Sequence, residues 1–323
     1  MLRQDRVIVT KGFAMCSEHA EIQLPQDHEQ RLARARTSLE GLSVGDALGE
    51  QFFYQEQINT LIDTRTVPES PWRYTDDTTM AISIFETLRE SGRIDPDSLA
   101  RRFAKRYWEE PTRGYGATAH RILQEIAQGV PWHVASPKAF GGDGSMGNGG
   151  AMRVGPVGGY FADDLDQVVK NARVSAAVTH AHPDGQAGAV AVAVAAARAW
   201  QLAAHDASGP GQELLETAIR YTPDGPTRDG LRRATELPLD DSVQSAAARL
   251  GSGSMVIASD TVPYALWCAS RHLDNYEDAF WATVSGFGDI DTTCAIVGSV
   301  VAMAVGRDNI PQAWIKAREP LRL

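Results

Sequence analysis

From Glu29 to the C-terminus, apolar residues recur at three- and four-residue steps, a period that lines one side of an α-helix and fits neither face of a strand. Over residues 31–48 the apolar positions are Leu32, Ala35, Leu39, Leu42 and Ala47, and over residues 78–88 they are Met80, Ile84 and Leu88. Asp95-Pro96 opens a further helix, because proline in a first turn gives up an amide that has no helical partner anyway. The same spacing predicts helices over 117–128, 164–178, 185–204, 211–220, 242–250, 261–272, 277–284 and 292–305. The one run of β-branched residues, 7–10, lies ahead of all of them. The expectation is an all-α fold, a compact multi-helix single domain over residues 29–323 preceded by an N-terminal tail, residues 1–28.

A chain of 323 residues that is 43% hydrophobic and 22% charged can bury a substantial core. Its net charge of -10 argues against tracking a polyphosphate backbone, so no extended nucleic acid is expected as a partner. A small phosphate ester held by backbone amides stays open. Cys16, Cys268 and Cys294 are scattered without a CxxC pair, which fits a reducing cytoplasm better than a disulfide framework or a zinc ribbon. Arg3, Asp5 and Arg6 are followed only by a short apolar run, unlike a signal peptide, and the Ala/Val run of 187–200 is too short to span a bilayer. A soluble, cytoplasmic protein without a membrane partner is expected.

Two acidic clusters stand at helix starts. Tyr74-Thr75-Asp76-Asp77-Thr78-Thr79-Met80 offers good capping residues, but one cap is all that a helix end needs. Adjacent carboxylates repel unless a positive charge lies between them, and a hard cation takes carboxylate and hydroxyl oxygens together. Gly286-Phe287-Gly288-Asp289-Ile290-Asp291-Thr292-Thr293 repeats the pattern. On an extended segment Asp289 and Asp291 project to one side, with the Thr292 hydroxyl beside them. Each cluster reads as a helix cap or as half of a metal site; together they would enclose two metals able to orient a hydroxyl and activate water. Between them, Gly147-Asn148-Gly149-Gly150-Ala151-Met152-Arg153 reads as a turn or as an anion-binding concavity in which Asn148 bonds a ribose or phosphate. His180 and His182 are two apart at a helix end and read as a C-terminal cap packed against a pocket rather than a zinc pair.

In order and spacing these segments resemble the ADP-ribosylglycohydrolase family, which includes dinitrogenase reductase-activating glycohydrolase and the ADP-ribosylarginine hydrolases. The resemblance runs from Gly41 to Ala304 through Gly45-Asp46-Ala47-Leu48-Gly49, Thr75-Asp76-Asp77-Thr78, Gly114-Tyr115-Gly116, Gly147-Asn148-Gly149, Met152-Arg153, Thr179-His180 and Gly288-Asp289-Ile290-Asp291-Thr292. It implies two Mg²⁺ (or Mn²⁺) ions with Thr75, Asp76, Asp77, Asp289, Asp291 and Thr292 as ligands. It further implies an ADP-ribose path lined by Gly114, Tyr115, Gly116, Gly147, Asn148, Gly149, Met152 and His180, with Tyr115 stacking on or gating the substrate. Asp46 would orient its neighbours. The implied chemistry is hydrolysis at the anomeric carbon of the ribose distal to adenosine, with Asp76, Asp77 and Asp291 as catalytic residues and Asp76 or Asp77 first in line as general base.

One position departs from the pattern. Many relatives carry a glutamate four residues after the Gly-Asp-Ala-Leu-Gly segment, where this chain has Phe53; Glu50, Gln51 and Glu56 are the nearby replacements. The departure favours arginine-linked ADP-ribose on protein, because the arginine-specific relatives do not all use that glutamate. A second reading keeps the fold and places the ADP-ribose on a nucleobase, a nucleic-acid end or a small molecule. A third is an immunity or binding protein whose residues 1–28 reach into an ADP-ribosyltransferase and block it.

Overall fold

The computed structural model describes residues 24–204, 209–238 and 241–323. Five helices carry its core: α1 (His28–Gln51), α2 (Asp76–Ser91), α3 (Pro183–Ala203), α4 (Ala258–Arg271) and α5 (Ile290–Val305). What packs on α1 is decided by glycine at four-residue steps. A Cβ on Gly41 would stand 2.3 Å from Gly298 O, one on Gly45 2.1 Å from Cys294 O, and one on Gly49 3.0 Å from the Asp291 Cα. The backbones of α1 and α5 therefore lie against each other along this seam, closer than any side chain permits. The Tyr276 hydroxyl locks it by donating to Gly41 O at 2.6 Å.

The helix α3 is Ala- and Val-rich on every side and is buried over most of its length, as a helix apolar all round must be. It packs against α4, α5 and the short helix Gly155–Tyr160, whose Gly158 sits on Ala193 O. In α2 the buried face carries Met80, Ile84 and Leu88, as the spacing predicts. The C-terminal segment returns to α1 through Arg318, which donates to the buried Glu40 at 2.8 Å. One hydrophobic cluster runs through all these elements.

The described residues contain no β-strand, only two isolated bridges, Trp72 to Arg318 and Gly147 to Ile257. Short helices at Ile58–Asp63, Trp132–Ala135, Gly149–Met152, Gly155–Tyr160 and Gln312–Ala317 were not foreseen, because one or two turns give no period to read, and the longer Pro226–Thr235 was not foreseen either. The β-branched run at 7–10 and most of the expected tail lie outside the described residues. Residues 24–27 lead directly into α1, where the His28 ring is within 2.7 Å of the Tyr160 hydroxyl. Among the described residues no helix is long and apolar enough to cross a membrane.

The seam makes a quantitative prediction. Alanine improves helix propensity by about 1 kcal/mol over glycine, but overpacking a close backbone contact costs about 3 kcal/mol. Gly45→Ala should therefore lower stability by about 2 kcal/mol net, read as a shifted urea midpoint at unchanged slope. A neutral or stabilising result would show that the helices are not in backbone contact there.

Candidate metal and substrate site

At the start of α2, Thr75 is the N-cap residue, and its side chain accepts from the Asp77 amide at 3.2 Å. A second, unforeseen cap comes from α1. The fully buried Asp46 carboxylate accepts from the amides of Thr75 and Thr78 and from the Thr78 hydroxyl. With the helix end satisfied twice, Asp76 and Asp77 are left over. Both are buried, and the Asp76 amide donates to Arg113 O at 2.7 Å, which fixes the turn.

The other cluster differs from its expected shape. It is not extended: Asp289 is the residue before α5 and Asp291 lies in the first helical turn, because the helix begins at Ile290. Asp289 makes no capping bond to the helix. Its carboxylate instead accepts from the Asn148 amide nitrogen at 2.6 Å, tying the glycine-rich segment to α5 across 141 residues. A loop that sequence reasoning missed holds this corner. Ser252 O accepts from the Asp289 amide at 3.0 Å, and Gly288 and Gly253 are glycines with positive φ pressed against Ser252 and the Asp289 side chain.

The two helix starts, with Asp46 from α1, thus bring five carboxylates together. Burial raises all five, Asp46 to about 6 and Asp76 to about 8; for Asp77 and Asp291 the neighbouring carboxylates add to it. Arg153 is the buried cation behind them. Its guanidinium lies 4.5 Å over the Phe103 ring and donates to Ser175 O and the Thr179 hydroxyl. Two carboxylate oxygens, Asp77 Oδ2 and Asp291 Oδ1, are out of solvent with no hydrogen-bond partner among the described residues. No three His, Cys, Asp or Glu side chains of the described residues close on one point as they stand. The donor set fits hard divalent cations on chemistry: all oxygen, carboxylates flanked by the Thr75 and Thr292 hydroxyls, and two buried oxygens still wanting a partner.

A cavity of about 590 Å³ opens over these residues. Asp76, Asp77, Asp289, Asp291 and Thr292 share its lining with Gly114, Gly116, Gly147, Asn148, Gly149, Met152 and His180. Thr75 and Tyr115 are behind the wall. Tyr115 is buried with its ring edge-on to Tyr107 at 5.1 Å, a position from which it backs the wall rather than facing the cavity. The glycines of the Gly147–Gly149 segment have a steric cause, since Cβ atoms there would stand 3.2 and 2.9 Å from the His180 ring. The amides of Gly147 and Asn148 are spent on Ser145 Oγ and Val256 O, and Gly149 already opens a helical turn, so this stretch is less an amide cradle than a floor for His180. His182 caps the start of α3, accepting from the Asp184 amide, rather than a helix C-terminus. Sequence reasoning also missed the apolar rim of Phe140, Met255 and Val256, which carries no motif.

Residues 27–322 match the family described as ADP-ribosylglycohydrolase. The chain is 29% identical over 328 residues to ADP-ribosylhydrolase ARH3 of Homo sapiens, covering 89% of this chain and 90% of that one. It is 22% identical over 306 residues to ADP-ribosylarginine hydrolase Tri1 of Serratia proteamaculans, covering 88% and 75%. A solved structure of an ADP-ribosylglycohydrolase-related protein complex superposes with a TM-score of 0.64 at 25% identity, covering 90% of this chain and 93% of that one.

The His180 ring has a consequence for pH. Burial first, and the Arg153 charge second, pull it down to about 3, so it is neutral throughout the ordinary range. Between about pH 3 and 6.5 the unfolded chain binds a proton that the folded chain refuses, so stability from this group is full above pH 6.5 and falls as pH drops below it. The His180 ring resonances are expected to stay flat from about pH 8 to about pH 5 while the unfolding free energy declines. A midpoint near 6.5 for this ring would contradict the burial.

Proposed function

The chain belongs to the ADP-ribosylglycohydrolase family, and on that premise we propose that it is a metal-dependent ADP-ribosyl hydrolase acting on arginine-linked ADP-ribose. The observation that carries the reading is the pair of Thr/Asp helix starts meeting at one cavity with two carboxylate oxygens unsatisfied. Thr75, Asp76, Asp77, Asp289, Asp291 and Thr292 would hold a pair of Mg²⁺ or Mn²⁺ ions. When bound, such ions polarise oxygen and grip vicinal hydroxyls such as those of a ribose.

The remaining roles belong to the chain. Asp46 holds the Thr75–Thr78 turn in place, and Asn148 and Ser252 hold Asp289. The Gly147–Gly149 segment and Met152 shape the path, and neutral His180 adds a polar edge without a charge that would compete with the cations. The exposed Phe140 ring offers an apolar face for the adenine end of the ligand. In hydrolysis, water adds to the anomeric carbon, the bond to the guanidino nitrogen breaks, and that nitrogen takes a proton. Asp76 and Asp77 both line the cavity, which places their carboxylates to accept the proton that water gives up. Arginine linkage is favoured by Phe53, which points an apolar ring outward where the resemblance places a glutamate, and by the likeness to a relative named for that linkage.

The test is a panel of ADP-ribosylated substrates (arginine, serine, aspartate or glutamate, nucleobase) assayed with Mg²⁺ and with EDTA. The arginine substrate should be turned over best, and only with metal. Asp77→Asn and Asp291→Asn should each lower turnover by at least roughly a hundredfold and weaken Mg²⁺ binding by calorimetry. Full activity in EDTA, or undiminished activity in both variants, contradicts the reading.

A further inference from the structure

We propose that Glu50, held by Tyr54, is the carboxylate that receives the guanidinium of an arginine-linked substrate. The proposal rests on the hydrolase reading above and adds what selects the linkage.

The placement follows from the glycine seam. A Cβ on Gly49 would stand 3.0 Å from the Asp291 Cα, so the next residue of α1 emerges beside the start of α5. Glu50 is half-buried there, and one turn later the Tyr54 hydroxyl donates to its Oε1 at 2.5 Å. Tyr54 is otherwise 71% exposed, so this hydroxyl is the one polar tie that its ring makes to the carboxylate. No Lys or Arg among the described residues pairs with Glu50, although burial and the Asp289 charge both press on it. A half-buried carboxylate beside a floor of aspartates, fixed by one hydroxyl and without a cation, is a seat for a planar cation. Guanidinium matches it with paired N–H groups; a serine linkage brings no charge to this position.

The other replacements for the family glutamate are less well placed. Gln51 donates back to Ala47 O, Phe53 has no polar atom and is 48% exposed, and Glu56 is exposed beyond the end of the turn. Only Glu50 combines a tether with nearness to Asp289 and Asp291.

The experiment compares wild type, Glu50→Gln and Tyr54→Phe on arginine-linked and serine-linked ADP-ribosyl peptides, with the Kd for ADP-ribose and the inhibition constant of methylguanidine as further readouts. Glu50→Gln should lower kcat/KM on the arginine peptide by at least roughly tenfold, mainly through KM, and weaken methylguanidine inhibition similarly. ADP-ribose affinity and any serine-peptide turnover should stay within about twofold, and Tyr54→Phe should give a smaller change in the same direction. An arginine-active wild type with an indifferent Glu50→Gln overturns this proposal alone, as does a loss shared equally with ADP-ribose binding. A wild type that ignores the arginine peptide and cleaves another linkage overturns the linkage reading and this proposal together.

Discussion

Negative charge packed away from water is the constraint on which this structure turns. Asp46, Asp76, Asp77, Asp289 and Asp291 converge from three helix segments, and burial raises each carboxyl. Charges so placed are costly unless paired, and one guanidinium, that of Arg153, does not balance five. The surrounding architecture is arranged to tolerate that charge in one spot. Two helix N-termini, each a concentration of positive dipole, point at it, and backbone amides rather than solvent satisfy Asp46.

Precision comes from contacts that leave no room for adjustment. Gly41, Gly45 and Gly49 put α1 against the backbone of α5, so Asp46 on one helix and Asp291 on the other are held in a fixed relation. Gly288 and Gly253 do the same for Asp289. Strain gathers around the same place. Of the four described non-glycine residues with positive φ, Phe140 and Val256 line the cavity and Phe287 sits two residues before Asp289. A β-branched residue such as Val256 is held in that conformation only by surroundings that over-determine it, here the pairing of Asn148 with Val256 O and of Ala258 with Met146 O.

Much of the fold was legible because its long helices repeat their apolar residues over several turns, as in α1, α2 and α5. The one-turn helices were not, and the Gly149–Met152 turn looked like a loop because its glycines answer to tertiary neighbours, Gly149 to the His180 ring and Gly150 to Ala176 and Gly185. At the site, residue types pointed to oxygen donors at two helix starts, and the structure gathers all of them but Thr75 on one cavity. Which acid caps and which is spare was not readable from the chain. Thr75 caps as its type predicts, Asp289 does not, and the second cap for α2 comes from Asp46, 29 residues away. Contacts such as Asn148 to Asp289, or Ser252 to Asp289, join distant segments through single polar atoms and leave no local pattern.

The central claim is that the two Thr/Asp helix starts form one cation-holding floor. Crystals soaked in Mn²⁺ and measured at the manganese edge test it most directly. The account predicts anomalous density within coordination distance of both Asp77 Oδ2 and Asp291 Oδ1, the two oxygens without a partner. Anomalous density confined to other carboxylates, with these two oxygens hydrogen-bonded to protein or water instead, would contradict it.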